Sequence, residues 1–87
     1  MSTSKSERKV ISFKCYPYFW NLIKEGKKKF EFRLYDPKDE RFQLLDEDWQ
    51  VLSIELVNTE TGEKFRRPIR GYIPHGLAWG NWVIIFF

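Results

Sequence analysis

Polar and apolar positions alternate along much of the chain, and the places where the period changes mark out its elements. From Lys9 to Cys15, Ile11, Phe13 and Cys15 share one face while Ser12 and Lys14 share the other, the pattern of a half-buried strand. The period then lengthens. Tyr16, Phe19, Trp20 and Ile23 recur at the spacing of one helical face, with Pro17 suited to the first helical position. Gly26 closes this helix, since glycine takes the left-handed C-cap conformation most easily. Alternation resumes at Phe30. It predicts a second strand with Phe30, Phe32 and Leu34 toward the core and Glu31 and Arg33 together on the opposite face.

Asp36-Pro37-Lys38-Asp39 is a turn by composition, and Phe42, Leu44 and Leu45 are expected to pin the connection after it to the core. Asp46-Glu47-Asp48 reads as a solvated acidic loop, because three consecutive acids on an extended chain cannot point at one metal. Residues 50–57 form a third strand, with Leu52, Ile54 and Leu56 opposite Val51, Ser53 and Glu55. Asn58 to Glu63 is a hairpin loop with Gly62 available for positive φ. Residues 64–73 return as a fourth strand, where Pro68 implies an edge position or a bulge. Residues 74–81 read as a short loop holding His75, Leu77 and Trp79. Residues 82–87 are continuously apolar, as expected of a strand buried on both faces. The order predicts an α+β domain over residues 9–87, a small mixed β-barrel of about five strands plugged by one principal helix. Residues 1–8 read as a flexible tail.

Composition narrows the class. A chain of 87 residues, 43% hydrophobic with 18% aromatic residues, can build one core. No apolar run approaches the ~20 residues of a membrane helix, and Met1 to Lys9 lacks the apolar segment of a signal peptide. One cysteine permits no intramolecular disulfide, and one Cys with one His makes a poor zinc site. A cytoplasmic monomer without metal or cofactor is expected. Net charge is +3, unevenly spread. Residues 1–33 carry nine Lys/Arg against three acids, residues 34–63 two against nine, and residues 64–87 four against none. If the two basic ends meet in space they form a positive face that attracts polyanions; otherwise the charges merely solvate a small domain.

The chemistry concentrates between helix and second strand, in Gly26-x-Lys28-x-x-Glu31-x-Arg33. This spacing resembles the signature of the ASCH domain, a branch of the PUA-like superfamily. Phe19, Leu22 and Ile23 fill the places of the family's aromatic residue and aliphatic pair in the preceding helix. Phe42 to Asp46 resembles its Phe-x-x-Gly-Asp lead-in to the next strand, with Leu45 replacing the glycine. Gly80-Asn81-Trp82-Val83-Ile84-Ile85 resembles its last strand. The resemblance covers most of residues 9–87 and implies the same helix-plugged barrel. One departure is that Ile73 to Trp82 leaves room only for a loop, where ASCH domains often carry a longer, partly helical segment.

The resemblance implies recognition of single-stranded RNA or a nucleotide in a cleft beside the signature strand. The residue types agree with it. Lys28 and Arg33 can neutralise phosphate, while Lys24, Lys27 and Lys29 raise the local potential. Glu31 can accept from the amino and imino groups of a base, Asp36 follows closely enough to reach the site, and Tyr72, Trp79 or Tyr35 can stack. A structural Glu31–Arg33 ion pair is the plain alternative. An enzymatic alternative comes from the same family, in which some members are amidohydrolases of acylated cytidine that use the signature lysine, a threonine three residues later and a distant glutamate. Lys28 matches the first, but Glu31 occupies the threonine position and no motif marks Glu55, Glu60 or Glu63 as the last. Ribonuclease activity, also known in the family, would need Lys28 or Glu31 as the acid–base group. A third alternative is a small protein–protein adaptor using the acidic middle segment. Cys15 reads as a buried core thiol, and His75 as a cleft-rim contact or a turn residue.

Overall fold

A computed structural model describes residues 8–77 and 80–87. Strand β1 (Lys9–Cys15) leads into helix α1 (Pro17–Lys24), followed by β2 (Phe30–Leu34), α2 (Glu40–Asp48) and a 3-10 turn (Trp49–Val51). Strands β3 (Leu52–Asn58), β4 (Lys64–Pro68), β5 (Gly71–Leu77) and β6 (Gly80–Phe86) complete the chain. The domain is α+β, with six strands and two helices among the described residues. Among the described residues no helix is long and apolar enough to cross a membrane.

The strands form two three-stranded sheets. One has the order β1-β3-β4, with β1 parallel and β4 antiparallel to β3. The other has the order β2-β6-β5 and is antiparallel throughout. At one side the β4–β5 corner stitches them together: Ile69 N–H donates to the Leu52 carbonyl at 3.1 Å and Arg70 N–H to the Phe86 carbonyl at 2.8 Å. At the other side no ladder joins β1 to β2 among the described residues. Side chains span that seam instead. Arg33 donates to the Lys14 carbonyl at 2.6 Å and Arg41 to the Ser12 carbonyl at 2.7 Å, satisfying acceptors on the outer edge of β1.

Both sheets feed one core. It takes Ile11, Phe13 and Cys15 from β1, Leu52, Ile54 and Leu56 from β3, and Val83 and Ile85 from β6. Trp20 and Ile23 enter from α1, and Phe42 and Leu45 from α2. Trp20 is 3% exposed, and its indole N–H donates to the Leu56 carbonyl at 2.9 Å. Gly26 has φ +81°, and Lys27 N–H donates back to the Leu22 carbonyl at 2.9 Å, so α1 ends in the expected left-handed glycine cap. Gly62, at φ +79°, closes the β3–β4 hairpin in the same way.

The structure corrects several expectations. The stretch from Phe42 to Asp48 is a helix, so there are two helices where one principal helix is predicted. Asp39 caps it by accepting from Arg41 N–H at 2.9 Å, and Phe42 and Leu45 make its buried stripe. Glu40 in its first turn suits the macrodipole, but Asp46, Glu47 and Asp48 sit at the C-terminal end, against it. Tyr35 and Tyr72 offset this by donating their hydroxyls to Asp46 at 2.7 and 2.8 Å. The predicted fourth strand is two strands, β4 and β5, which turn at Pro68–Gly71 into different sheets. Pro68 ends edge strand β4, and Pro74 lies in edge strand β5, where a missing N–H costs least. Strand β6 buries Val83 and Ile85 but leaves Trp82 36% exposed, so it is covered on one face rather than both.

Candidate functional site

The sharpest reversal concerns β2. Alternation separates its two faces correctly, but the apolar face is the outer one. Phe30, Phe32 and Leu34 are exposed, Phe32 by 50%, while Glu31 is only 6% exposed. The polar face is turned to the β1–β2 seam, where its charges satisfy one another. Glu31 Oε2 lies 2.6 Å from Arg33 Nη2, and Glu31 Oε1 lies 3.4 Å from Lys28 Nζ. Lys28 Nζ also sits 4.9 Å from the Phe19 ring centroid and 5.2 Å from that of Phe30. A buried carboxylate between two cations retains the charge pairing it loses from water.

Beside this trio the seam widens into a cleft of about 390 Å³ lined by residues from β1, α1 and β2. Lys14, Cys15 and Tyr16 form one side, Phe19 and Lys28 close an end, and Phe30 to Arg33 form the other side. Tyr16 is 72% exposed and Phe19 is also exposed, so both offer ring surface to a planar ligand. Arg33 is committed to the protein. Besides Glu31 it holds the Lys14 carbonyl, contacts the Cys15 sulfur at 3.8 Å and lies 4.8 Å from the Phe13 ring centroid. Its buried Nε has no hydrogen-bond partner. Lys28 Nζ, by contrast, has a single polar contact among the described residues, with Glu31 at 3.4 Å.

Cys15 donates to Glu31 Oε2 at 3.7 Å. Burial, reinforced by the neighbouring Glu31 charge, pushes its thiol up to about 11, against the opposing pull of Arg33 and Lys28. At neutral pH this sulfur is protonated and a poor nucleophile, as expected of a core thiol.

The structure therefore brings Lys28, Glu31 and Arg33 together and leaves Lys27, Lys29, Asp36 and Tyr72 elsewhere. Lys27 is exposed and pairs with Glu25 at 3.3 Å. Lys29 is exposed and does not line the cleft, its carbonyl accepting from Phe87 N–H at 3.0 Å. Asp36 folds back on its own turn, accepting from Lys38 N–H at 2.9 Å. Tyr72 and Tyr35 belong to the Asp46 cluster on α2 and are not cleft residues. Burial and the Asp46 hydrogen bond both push the Tyr72 hydroxyl up. Trp79 lies outside the described residues, as does the side chain of His75.

The helical face of Tyr16, Phe19, Trp20 and Ile23 reads from sequence as core packing before ligand stacking, but only Trp20 and Ile23 are buried. Sequence reasoning missed Lys14, Phe30 and Phe32 as cleft residues. The signal for Tyr16 and Phe19 was their place on the helix immediately before the signature. For Phe30 and Phe32 no sequence signal existed, because their positions had been given to the core. Compared with protein-family models, curated proteins and solved structures, the chain matches none.

Proposed function

We propose that this protein is an RNA- or nucleotide-binding module of the ASCH, PUA-like kind, taking a base and its phosphate in the cleft beside residues 26–33. The observation that carries the reading is the seating of Glu31 between Lys28 and Arg33 beside a cleft with exposed aromatic walls. The three signature residues converge on one site, and that site has the size and chemistry for a phosphorylated planar ligand. Tyr16 and Phe19 supply stacking, while Lys14 and Lys28 supply positive charge. Glu31 and Arg33 hold the floor. Lys29 and Arg70 come to the same end of the β2-β6-β5 sheet through main-chain bonds to Phe87 and Phe86.

Titration with a panel of short oligonucleotides and mononucleotides at two salt concentrations tests the reading. Binding is expected, weakening as salt rises through counterion release. No binding by folded protein would sink it. The adaptor alternative then gains, with one observation in its favour. Phe30, Phe32, Leu34, Ile73 and Trp82 are all exposed on the strands of one sheet, and Phe32 and Trp82 stack at 4.8 Å.

A further inference from the structure

Strand β2 is the outer strand of its sheet, and among the described residues the side turned away from β6 belongs to no ladder. Register decides what that side offers. Phe87 N–H donates to the Lys29 carbonyl at 3.0 Å, which places position 29 in a hydrogen-bonded pair with β6. The pairing continues as Glu31↔Ile85 and Arg33↔Val83. Main-chain direction alternates along a strand, so Phe30, Phe32 and Leu34 turn their N–H and C=O groups to the open side. Phe30 and Phe32 also line the cleft. No hydrogen bond among the described residues reaches the main-chain groups of either from that side. The facing edge of β1 differs, because Arg33 and Arg41 occupy its Lys14 and Ser12 carbonyls.

We propose that this open main-chain edge, at Phe30 and Phe32, is the element that reads the base. A strand residue presents its N–H and C=O side by side, donor next to acceptor. Uracil and guanine offer the complement as a ring N–H beside a carbonyl; cytosine and adenine offer it as a ring nitrogen beside an amino group. The inference rests on the nucleotide-binding reading and deepens it in two ways. The ligand is an unpaired base, since the edge it needs is the one a duplex hides. Discrimination among bases is weak, since one donor–acceptor pair serves all four and Glu31 is taken up by Lys28 and Arg33.

Amide NMR of the isotopically labelled protein, titrated with uridine monophosphate and with its N3-methyl analogue, tests this directly. The Phe30 and Phe32 amides are expected to shift and become protected from exchange with the parent nucleotide. The analogue, which lacks the ring N–H, is expected to bind about tenfold or more weakly. Phe32→Ala keeps the main chain and should keep the protection, which separates the edge from the ring. Nucleotide binding that leaves both amides unchanged, or equal affinity for the methylated analogue, overturns the inference while leaving the nucleotide reading intact. No binding of either nucleotide overturns both. Protection of the same amides by an extended peptide instead of a nucleotide would mark the edge as a strand-addition site.

Discussion

Arg33 on β2 donates to the main-chain carbonyl of Lys14 on β1 at 2.6 Å, bridging two strands that no ladder joins. The same guanidinium nitrogen meets Glu31 at 2.6 Å. Arg33 thus acts as a clasp on the open side of the fold, and the cleft opens beside it.

Arg33→Ala is expected to destabilise the fold by about 2–4 kcal/mol, because it strips a buried carboxylate of one partner and a strand edge of its donor. Arg33→Lys should recover only part of this, since an ammonium lacks the planar fork. Denaturant midpoints measure it. Native stability with weaker nucleotide binding would instead make Arg33 a phosphate ligand.

Glu31→Gln should cost stability, by about 1–3 kcal/mol, because both its oxygens serve buried contacts with Lys28, Arg33 and Cys15. Preference among bases should stay as it is. If stability holds while relative affinities for the bases change, the carboxylate is a reader after all.

Lys28→Ala should weaken nucleotide binding across all bases and lower the slope of log affinity against log salt by about one. Lys27→Ala, altering an exposed lysine outside the cleft, should do much less. Equal effects of the two substitutions would place phosphate contacts outside the cleft.

Hydrolysis of acylated cytidine is not expected. The family's threonine position holds Glu31, which is buried and engaged in two ion pairs. Product formation above that of a Lys28→Ala control would refute this.

Cys15 predicts an alkaline signature. Its folded value is raised from 9.0 to about 11, so the native state holds the proton longer than the unfolded chain does. Its contribution is fully present below the unfolded value and declines as pH rises from about 9 toward about 11. Stability should fall across that window, and Cys15→Ala should flatten the early part of the fall. Tyr35 and Tyr72, both also raised, contribute a later decline. An unchanged profile in Cys15→Ala would show that the thiol is not the cause.

Periodicity by itself determined β1, α1 with its Gly26 cap, β3 with Leu52, Ile54 and Leu56 inward, and the Gly62 hairpin. Each is a local matter of side-chain spacing and backbone preference. The cluster of Lys28, Glu31 and Arg33 was legible too, because three residues on one short stretch cannot end far apart. What only the tertiary structure decided is which face of β2 turns inward. Alternation marks two faces but carries no sign, and here the charged face won the interior because its ions pair with one another and with the β1 carbonyl of Lys14. The second helix likewise depended on distant partners. Its acidic end runs against the helix dipole, and Asp46 is held by Tyr35 just after β2 and by Tyr72 on β5, neither of which is set by the helix's own sequence. The cleft walls followed from the same choice. Phe30 and Phe32 could line the cleft only once Glu31 and Arg33 had taken the interior.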